Sequence, residues 1–279
     1  MDGFLPYPGE AIKLVRRVAI PGTDVEVSRF IFGTAMLHHL QSTTQQARLL
    51  EAAADAGFSH YDTAPYYGFG TAEDVLGRLL ARRRELTVTT KVGLYSPWRP
   101  ARFLPEVKIR KAAGKLFPGI SKPVADWHVA TARKSLDDSL TRLRRDHVDL
   151  LLLHEPEPNL IQTDEWLSWL EHERGRVAAF GVSGERARVS PLVEGKSPLA
   201  AIVQTQDSVL KREADFMCKA NRRLQLTYGY VSSAKNNDVM QALEDALRRN
   251  DCGAILVSTR SVSRLTQYQT ALDRAGEKA

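Results

Sequence analysis

Short runs rich in Val, Ile, Leu and Phe recur along the chain, separated by longer stretches with helical periodicity. The runs are RFIFGTA (29–35), FSHYDTA (58–64), LTVTTKVG (86–93), VDLLLLH (148–154), VAAFGVS (177–183), AAIVQTQ (200–206), LQLTYGY (224–230) and AILVSTR (254–260). Several are almost continuously apolar rather than alternating, the pattern of parallel strands covered on both faces. The stretches between them read as helices. TTQQARLLEAAADAG starts with Thr and stops at Gly, and TAEDVLGRLLARRR begins acidic and ends basic, which suits the helix dipole. DWHVATARKSLDDSLTRLRR, TDEWLSWLEHERG, LKREADFMCKANRR, NDVMQALEDALRRN and a last segment from Ser263 follow the same style, whereas RARVSPLVEGK supports only one or two turns. Eight strands alternating with seven or eight helices predict an α/β fold of the closed (β/α)8 TIM-barrel type. The rival, an open doubly wound sheet, normally carries a GxGxxG turn after a strand, and none is present.

Two additions decorate this pattern. Residues 13–30 read as a β-hairpin around Pro21-Gly22, placed to cap one end of the barrel. A long loop, residues 94–126, follows the third strand and is rich in Arg, Lys, Pro and aromatics; loops of this length are usually lids or binding loops. No internal repeat or low-complexity linker interrupts residues 1–279, so one barrel domain is expected.

Composition narrows the class. The 279 residues are 43% hydrophobic and 26% charged, as in a globular protein with a large core. Lys and Arg number 39 against 33 Asp and Glu, giving +6. The basic residues are spread along the chain rather than gathered in one arm, which argues against a nucleic-acid partner; a nucleotide phosphate satisfies the same excess. Cys218 and Cys252 form no CxxC and no disulfide framework. No signal-peptide pattern opens the chain, and no apolar run approaches the ~20 residues of a membrane span, so a cytoplasmic protein with no membrane partner is expected.

In such a barrel, chemistry gathers where strands end and loops begin. Asp62, Lys91 and His154 stand at the ends of the second, third and fourth runs, and Tyr67 follows in the loop after Asp62. Adjacent strands lie ~4.8 Å apart, so the four groups can converge. A buried lysine is costly unless paired, which makes Lys91 beside Asp62 more informative than either alone. A phenol with an ordinary pKa near 10 is a poor acid; a neighbouring ammonium lowers that pKa, and an aspartate keeps the ammonium charged. A histidine within reach orients a carbonyl or assists the proton transfer. This set protonates an oxygen that gains negative charge, as a carbonyl does when it accepts hydride.

The motifs resemble those of the aldo-keto reductase family: DTAPYYG (62–68), TTKVG around Lys91, and DLLLLHEPEP around His154, with FGTA (32–35), GVSG (181–184), Gln204, Tyr228 and STRSVSRL (258–265) in matching order. The resemblance implies a (β/α)8 barrel with a catalytic tetrad of Asp62, Tyr67, Lys91 and His154. It implies NAD(P)(H)-dependent hydride transfer between cofactor and an aldehyde, ketone or sugar, with Tyr67 as general acid/base. Tyr228 would stack on the nicotinamide, and Ser183 and Gln204 would bond its carboxamide. Gly33, Thr34 and Asp62 would join this cofactor site, and Ser258, Thr259, Arg260 and Arg264 would hold the adenosine phosphate, favouring NADP(H) over NAD(H). Departures are Gly184, where many relatives place Asn, Ser258 in place of a lysine, and Gly-Tyr-Val after Tyr228.

Tyr66, Tyr95 and Trp98 are candidates for the substrate pocket; the other reading of Tyr66 is packing, and that of the insert holding Tyr95 and Trp98 is a solvated loop on the barrel rim. His38 follows the first strand and can reach the mouth; His39, His60, His128, His147 and His172 lack convergent partners. The partner expected is a small carbonyl or sugar, with the aldose dehydrogenase direction as the alternative, and no metal site is read. A nucleotide-sensing barrel without catalysis, a Schiff-base aldolase using Lys91, and a His/Asp metal hydrolase stay open as other readings. The sequence leaves the oligomeric state undetermined.

Overall fold

The structure, a computed structural model, describes residues 16–101, 103–234 and 238–276. Residues 13–15 of the predicted hairpin, and Arg102 in the long insert, lie outside them. Two short strands come first, β1 (Arg17–Ala19) and β2 (Glu26–Ser28), paired antiparallel as predicted. Eight parallel strands then close a barrel: β3 (Phe30–Gly33), β4 (His60–Asp62), β5 (Thr87–Val92), β8 (Val148–His154), β9 (Val177–Gly184), β10 (Ile202–Gln206), β11 (Leu226–Tyr228) and β12 (Ala254–Val257). Each falls inside, or within one residue of, its predicted run.

Helices α1 (Thr43–Asp55), α2 (Thr71–Arg82), α4 (Val129–Leu143), α5 (Thr163–His172), α6 (Arg186–Glu194), α7 (Asp215–Lys219), α8 (Tyr230–Ser233), α9 (Val239–Arg249) and α10 (Leu265–Gly276) fill the connections. Side-chain oxygens start two of them: Ser42 accepts from Gln45 N before α1, and Asp238 accepts from Gln241 N before α9. α7 is much shorter than its sequence pattern, five residues, because the chain on either side forms turns.

β8 shows why the strands read as continuous apolar runs. Leu150 and Leu152 point into the barrel, packing with Ile31, Ile202, Leu226 and Ala254, while Leu151 and Leu153 pack outward into the helix layer. Both faces are dry, so alternation disappears. Ile20 and Val27 of the hairpin join the inner cluster and close the N-terminal end of the barrel. That leaves the opposite end for the polar residues.

The insert after β5 is folded rather than an open loop. β6 (Leu94–Tyr95) pairs with β7 (Val124–Ala125), and α3 (Leu104–Leu116) runs between them. Leu104, Val107 and Ala101 pack on Phe69, tying the insert to the loop that carries Tyr67.

Candidate active site

The polar residues singled out in the sequence stand at the C-terminal ends of the barrel strands. Asp62 is the last residue of β4, Lys91 lies near the end of β5, His154 ends β8, and Tyr228 ends β11. Register carries the set around the barrel: His154 lies opposite Ser183 of β9, and Ser183 opposite Gln204 of β10. Tyr67 opens a tight turn through Gly68, Phe69 and Gly70, all with positive φ. A left-handed conformation is costly for a phenylalanine. The fully buried Phe69 side chain, packed under the insert, offsets that cost and fixes the direction from which Tyr67 enters.

A hydrogen-bonded chain runs beneath the mouth. Ser183 Oγ donates to Gln204 Oε1 at 2.6 Å, and Gln204 Nε2 donates to Asp62 Oδ2 at 2.8 Å. Lys91 Nζ donates to Asp62 Oδ1 at 2.6 Å and to the Thr63 carbonyl at 3.0 Å. Lys91 and Asp62 are almost fully buried, so their mutual attraction is little screened, and each keeps the other from being an unpaired charge. The Lys91 ammonium sits 5.0 Å from the Tyr67 ring centre, and the His154 ring meets the same ring edge-on at 5.9 Å. The four predicted groups therefore come together.

Their protonation differs from the sequence expectation in one respect. Burial, reinforced by the negative charges of Asp62 and Glu155, holds the Tyr67 phenol well above its usual value rather than below it. Desolvation of a phenolate outweighs the attraction of an ammonium already engaged by Asp62. Burial also pulls the Lys91 ammonium below its ordinary value, against Asp62, and pulls His154 well below 6.5, with Lys91 adding to the shift. The resting site at neutral pH thus contains a protonated phenol and a neutral imidazole. His154 Nδ1 is buried with no hydrogen-bond partner among the described residues.

A cavity of about 460 Å³ opens over these groups. Gly33, Asp62, Tyr67, His154, Ser183, Gln204, Tyr228 and Ser258 all line it. Thr34 and Thr259 make local hydrogen bonds, and the arginines that follow β12 stand at the surface. Thr34 Oγ1 donates to the Asp62 carbonyl and so joins β3 to β4. Thr259 is buried, exchanging hydrogen bonds with Ser261 in the turn before α10. Arg260 and Arg264 are exposed and take no ion pair among the described residues. The three substrate-pocket candidates lie outside the cavity wall. Tyr66 donates to the Ser121 carbonyl at 2.7 Å, holding the insert; Tyr95 Oη accepts from Gly93 N; Trp98 is exposed on the rim. His38 is half-buried, its Nδ1 2.9 Å from the Ala35 carbonyl, and it too is absent from the cavity wall. No group of three His, Cys, Asp or Glu side chains is placed to hold a metal among the described residues.

Glu155, which the sequence did not single out, stands close enough to the cavity for its charge to act on two residues that line it. It follows His154 with φ 46°, and its Oε2 accepts from Glu185 N at 3.3 Å. A Cβ on residue 184 would lie 2.8 Å from that oxygen, so Gly184 leaves the room the carboxylate uses. Burial raises its pKa, and its charge acts on both Tyr67 and Tyr228. The signal available was an acid directly after the strand-end histidine, paired with a glycine where the resemblance leads one to expect a side chain.

A nicotinamide ring with its carboxamide fits these residues. Gln204 has spent one donor and one acceptor, and a primary amide has two of each, so it retains the complementary pair a carboxamide requires. The Tyr228 ring offers a flat face in the cavity wall, and the absence of a side chain at Gly33 keeps the cavity open beside Ser258.

Several known proteins resemble the chain. The chain is 33% identical over 151 residues to pyridoxal 4-dehydrogenase of Microbacterium luteolum, covering 52% of this chain and 44% of that protein. It is 39% identical over 117 residues to D-threo-aldose 1-dehydrogenase of a Pseudomonas species, covering 39% and 33%. Across such curated relatives the match spans from a third to three fifths of their own length. Among solved structures, the glycerol dehydrogenase of Gluconobacter oxydans superposes with a TM-score of 0.71 at 22% identity, covering 94% of this chain and 93% of that one, a likeness of fold. The sequence profile of the Aldo/keto reductase family matches residues 29–221, which takes in β3 to α7 and all four members of the tetrad, and the chain belongs to that family of oxidoreductases.

Proposed function

We propose that the protein is an NAD(P)(H)-dependent oxidoreductase that interconverts a small carbonyl compound and its alcohol, with Tyr67 as general acid/base. The observation that carries this reading is the buried Asp62–Lys91 pair at 2.6 Å, whose aspartate lines the cavity and whose ammonium lies 5.0 Å from the Tyr67 ring. A binding role does not require so costly a pair to face a phenol. When bound, the reduced nicotinamide supplies a hydride to the carbonyl carbon. Tyr67, held protonated by burial, gives its proton to the carbonyl oxygen as negative charge develops there. Lys91 then stabilises the phenolate left behind, and Asp62 keeps Lys91 charged and in place. Neutral His154 orients the carbonyl oxygen by a hydrogen bond. Ser183 and Gln204 hold the carboxamide, and Tyr228 packs on the ring. In the alcohol-oxidising direction Tyr67 accepts the proton instead.

Arg260 and Arg264, exposed without an acidic partner beside the start of α10, favour a cofactor with a phosphate on its adenosine ribose, hence NADP(H) over NAD(H). The names of the relatives, a pyridoxal and an aldose dehydrogenase, favour an aldehyde or sugar as substrate. The Schiff-base reading finds little support, since the Lys91 ammonium already donates to Asp62 and Thr63. Fluorescence titration with NADPH and NADH, followed by a panel of aldehydes and aldoses, tests the proposal. Tight NADPH binding with turnover of at least one class is expected; tight binding with no turnover across the panel would favour a sensor.

A further inference from the structure

The chain's Lys and Arg residues are spread widely, but the acids that balance them are not. Residues 94–126 contain seven Lys or Arg against two Asp or Glu, so +5 of the chain's +6 lies in this insert. The same segment exposes Trp98, Phe103, Ile109, Leu116, Phe117 and Val124. Helix α3 divides its two faces clearly. Leu104 and Val107 are buried against Phe69, and Lys111 lies over the Tyr66 and Phe69 rings. The outward stripe is Lys108, Ile109, Ala112, Lys115 and Leu116, at helical spacing, continued by Phe117. Ile109 is 67% exposed and Leu116 79%. A helix face meeting only water has polar residues there, so isoleucine and leucine interleaved with lysine is the composition of a face that lies in an interface. Lys108, Lys111, Lys115 and Lys122 have no acidic partner among the described residues.

We infer that this insert docks the protein on an anionic lipid surface, with the apolar residues of α3 and its flanks entering the headgroup layer and the lysines meeting lipid phosphates. Charge complementarity selects this occupant. A second copy would bring two cationic faces together, and a nucleic acid would leave the exposed Ile109, Leu116 and Phe117 without an apolar partner. No described helix is long and apolar enough to cross a membrane, and docking requires none to do so. The Tyr66–Ser121 hydrogen bond ties the insert to the turn bearing Tyr67, so the docked segment is joined directly to that turn.

Co-sedimentation of the full chain with vesicles tests this. The protein is expected to pellet with equimolar phosphatidylcholine and phosphatidylglycerol at low salt, to stay in solution with phosphatidylcholine alone, and to be released by high salt. Ile109→Glu/Leu116→Glu and, separately, Lys108→Gln/Lys115→Gln are each expected to weaken partitioning on the order of tenfold, with thermal unfolding unchanged. Failure of the wild-type chain to pellet with the anionic vesicles would overturn the inference. So would loss of binding in the lysine variant alone, with the Ile109→Glu/Leu116→Glu variant binding as the wild type does, since the apolar residues would then not enter the headgroup layer. A wild-type dimer in vesicle-free buffer that Ile109→Glu/Leu116→Glu converts to monomer would assign the face to self-association.

Discussion

At the scale of single residues, the site depends on a charge pair that neither partner can leave without penalty. Lys91→Met would strand the Asp62 carboxylate in a buried position with only Gln204 as a side-chain donor, and removing one partner of such a pair costs about 3–5 kcal/mol. Asp62→Asn combined with Lys91→Met removes both charges. The double variant is expected to recover much of the stability in urea unfolding and none of the turnover, which separates the folding role of the pair from its chemical one. If the double variant is as unstable as the single, the Asp62 charge is not the source of the cost. Glu155 offers a second test. Its negative charge helps hold the Tyr67 phenol high. Glu155→Gln removes that charge, so the phenol loses its proton at lower pH. The basic limb of kcat/KM for carbonyl reduction should therefore move to lower pH, and alcohol oxidation should rise at lower pH. An unmoved profile would remove Glu155 from the electrostatics of the site.

At the scale of elements, tight joints set what the sequence reveals and what it hides. Strand β8 was legible because four consecutive leucines can be buried on both faces only in a covered sheet, and Asp62, Lys91 and His154 were legible because they interrupt apolar runs at the same end. The roles of Tyr66 and Tyr95 were not. An aromatic near a strand end reads alike whether it faces a cavity or anchors an insert, and the partner deciding the matter for Tyr66, the Ser121 carbonyl, is 55 residues away. Glu155 was hidden for a similar reason, since only the fold brings Gly184 against it. Gly181, in β9, shows how close the barrel strands approach: a Cβ there would lie 2.1 Å from the Ile202 carbonyl oxygen. Because that atom belongs to the backbone of β10, Gly181→Ala must shift a strand, at a cost of about 1–3 kcal/mol, and the Ser183–Gln204 bond two residues further along should loosen with it. Reduced stability in urea together with weaker cofactor binding is expected; weaker binding at unchanged stability would mean the strand did not move.

At the scale of the whole molecule, acid should unfold this protein through buried histidines. His60 is fully buried between the hydroxyls of Thr87 and Thr89, each 2.7 Å away, and its pKa falls from 6.5 to about 3, chiefly through burial. His154 shifts the same way. Below about pH 6.5 the unfolded chain takes up protons that the folded one refuses, so stability is complete above that pH and declines as pH falls beneath it. His60 alone accounts for about 2 kcal/mol by about pH 5. The urea midpoint should accordingly fall between neutral pH and about pH 5. A flat midpoint over that range would show that these imidazoles are protonated in the folded state. The proposed site lies at the barrel mouth, and its central claim is that Tyr67 transfers the proton. That claim is tested most directly by Tyr67→Phe, assayed for NADPH oxidation with the best carbonyl substrate and, in parallel, for NADPH binding by fluorescence. The account predicts a loss of about 10²–10⁴-fold in turnover with cofactor affinity preserved. A variant that reduces the carbonyl at the wild-type rate would contradict it.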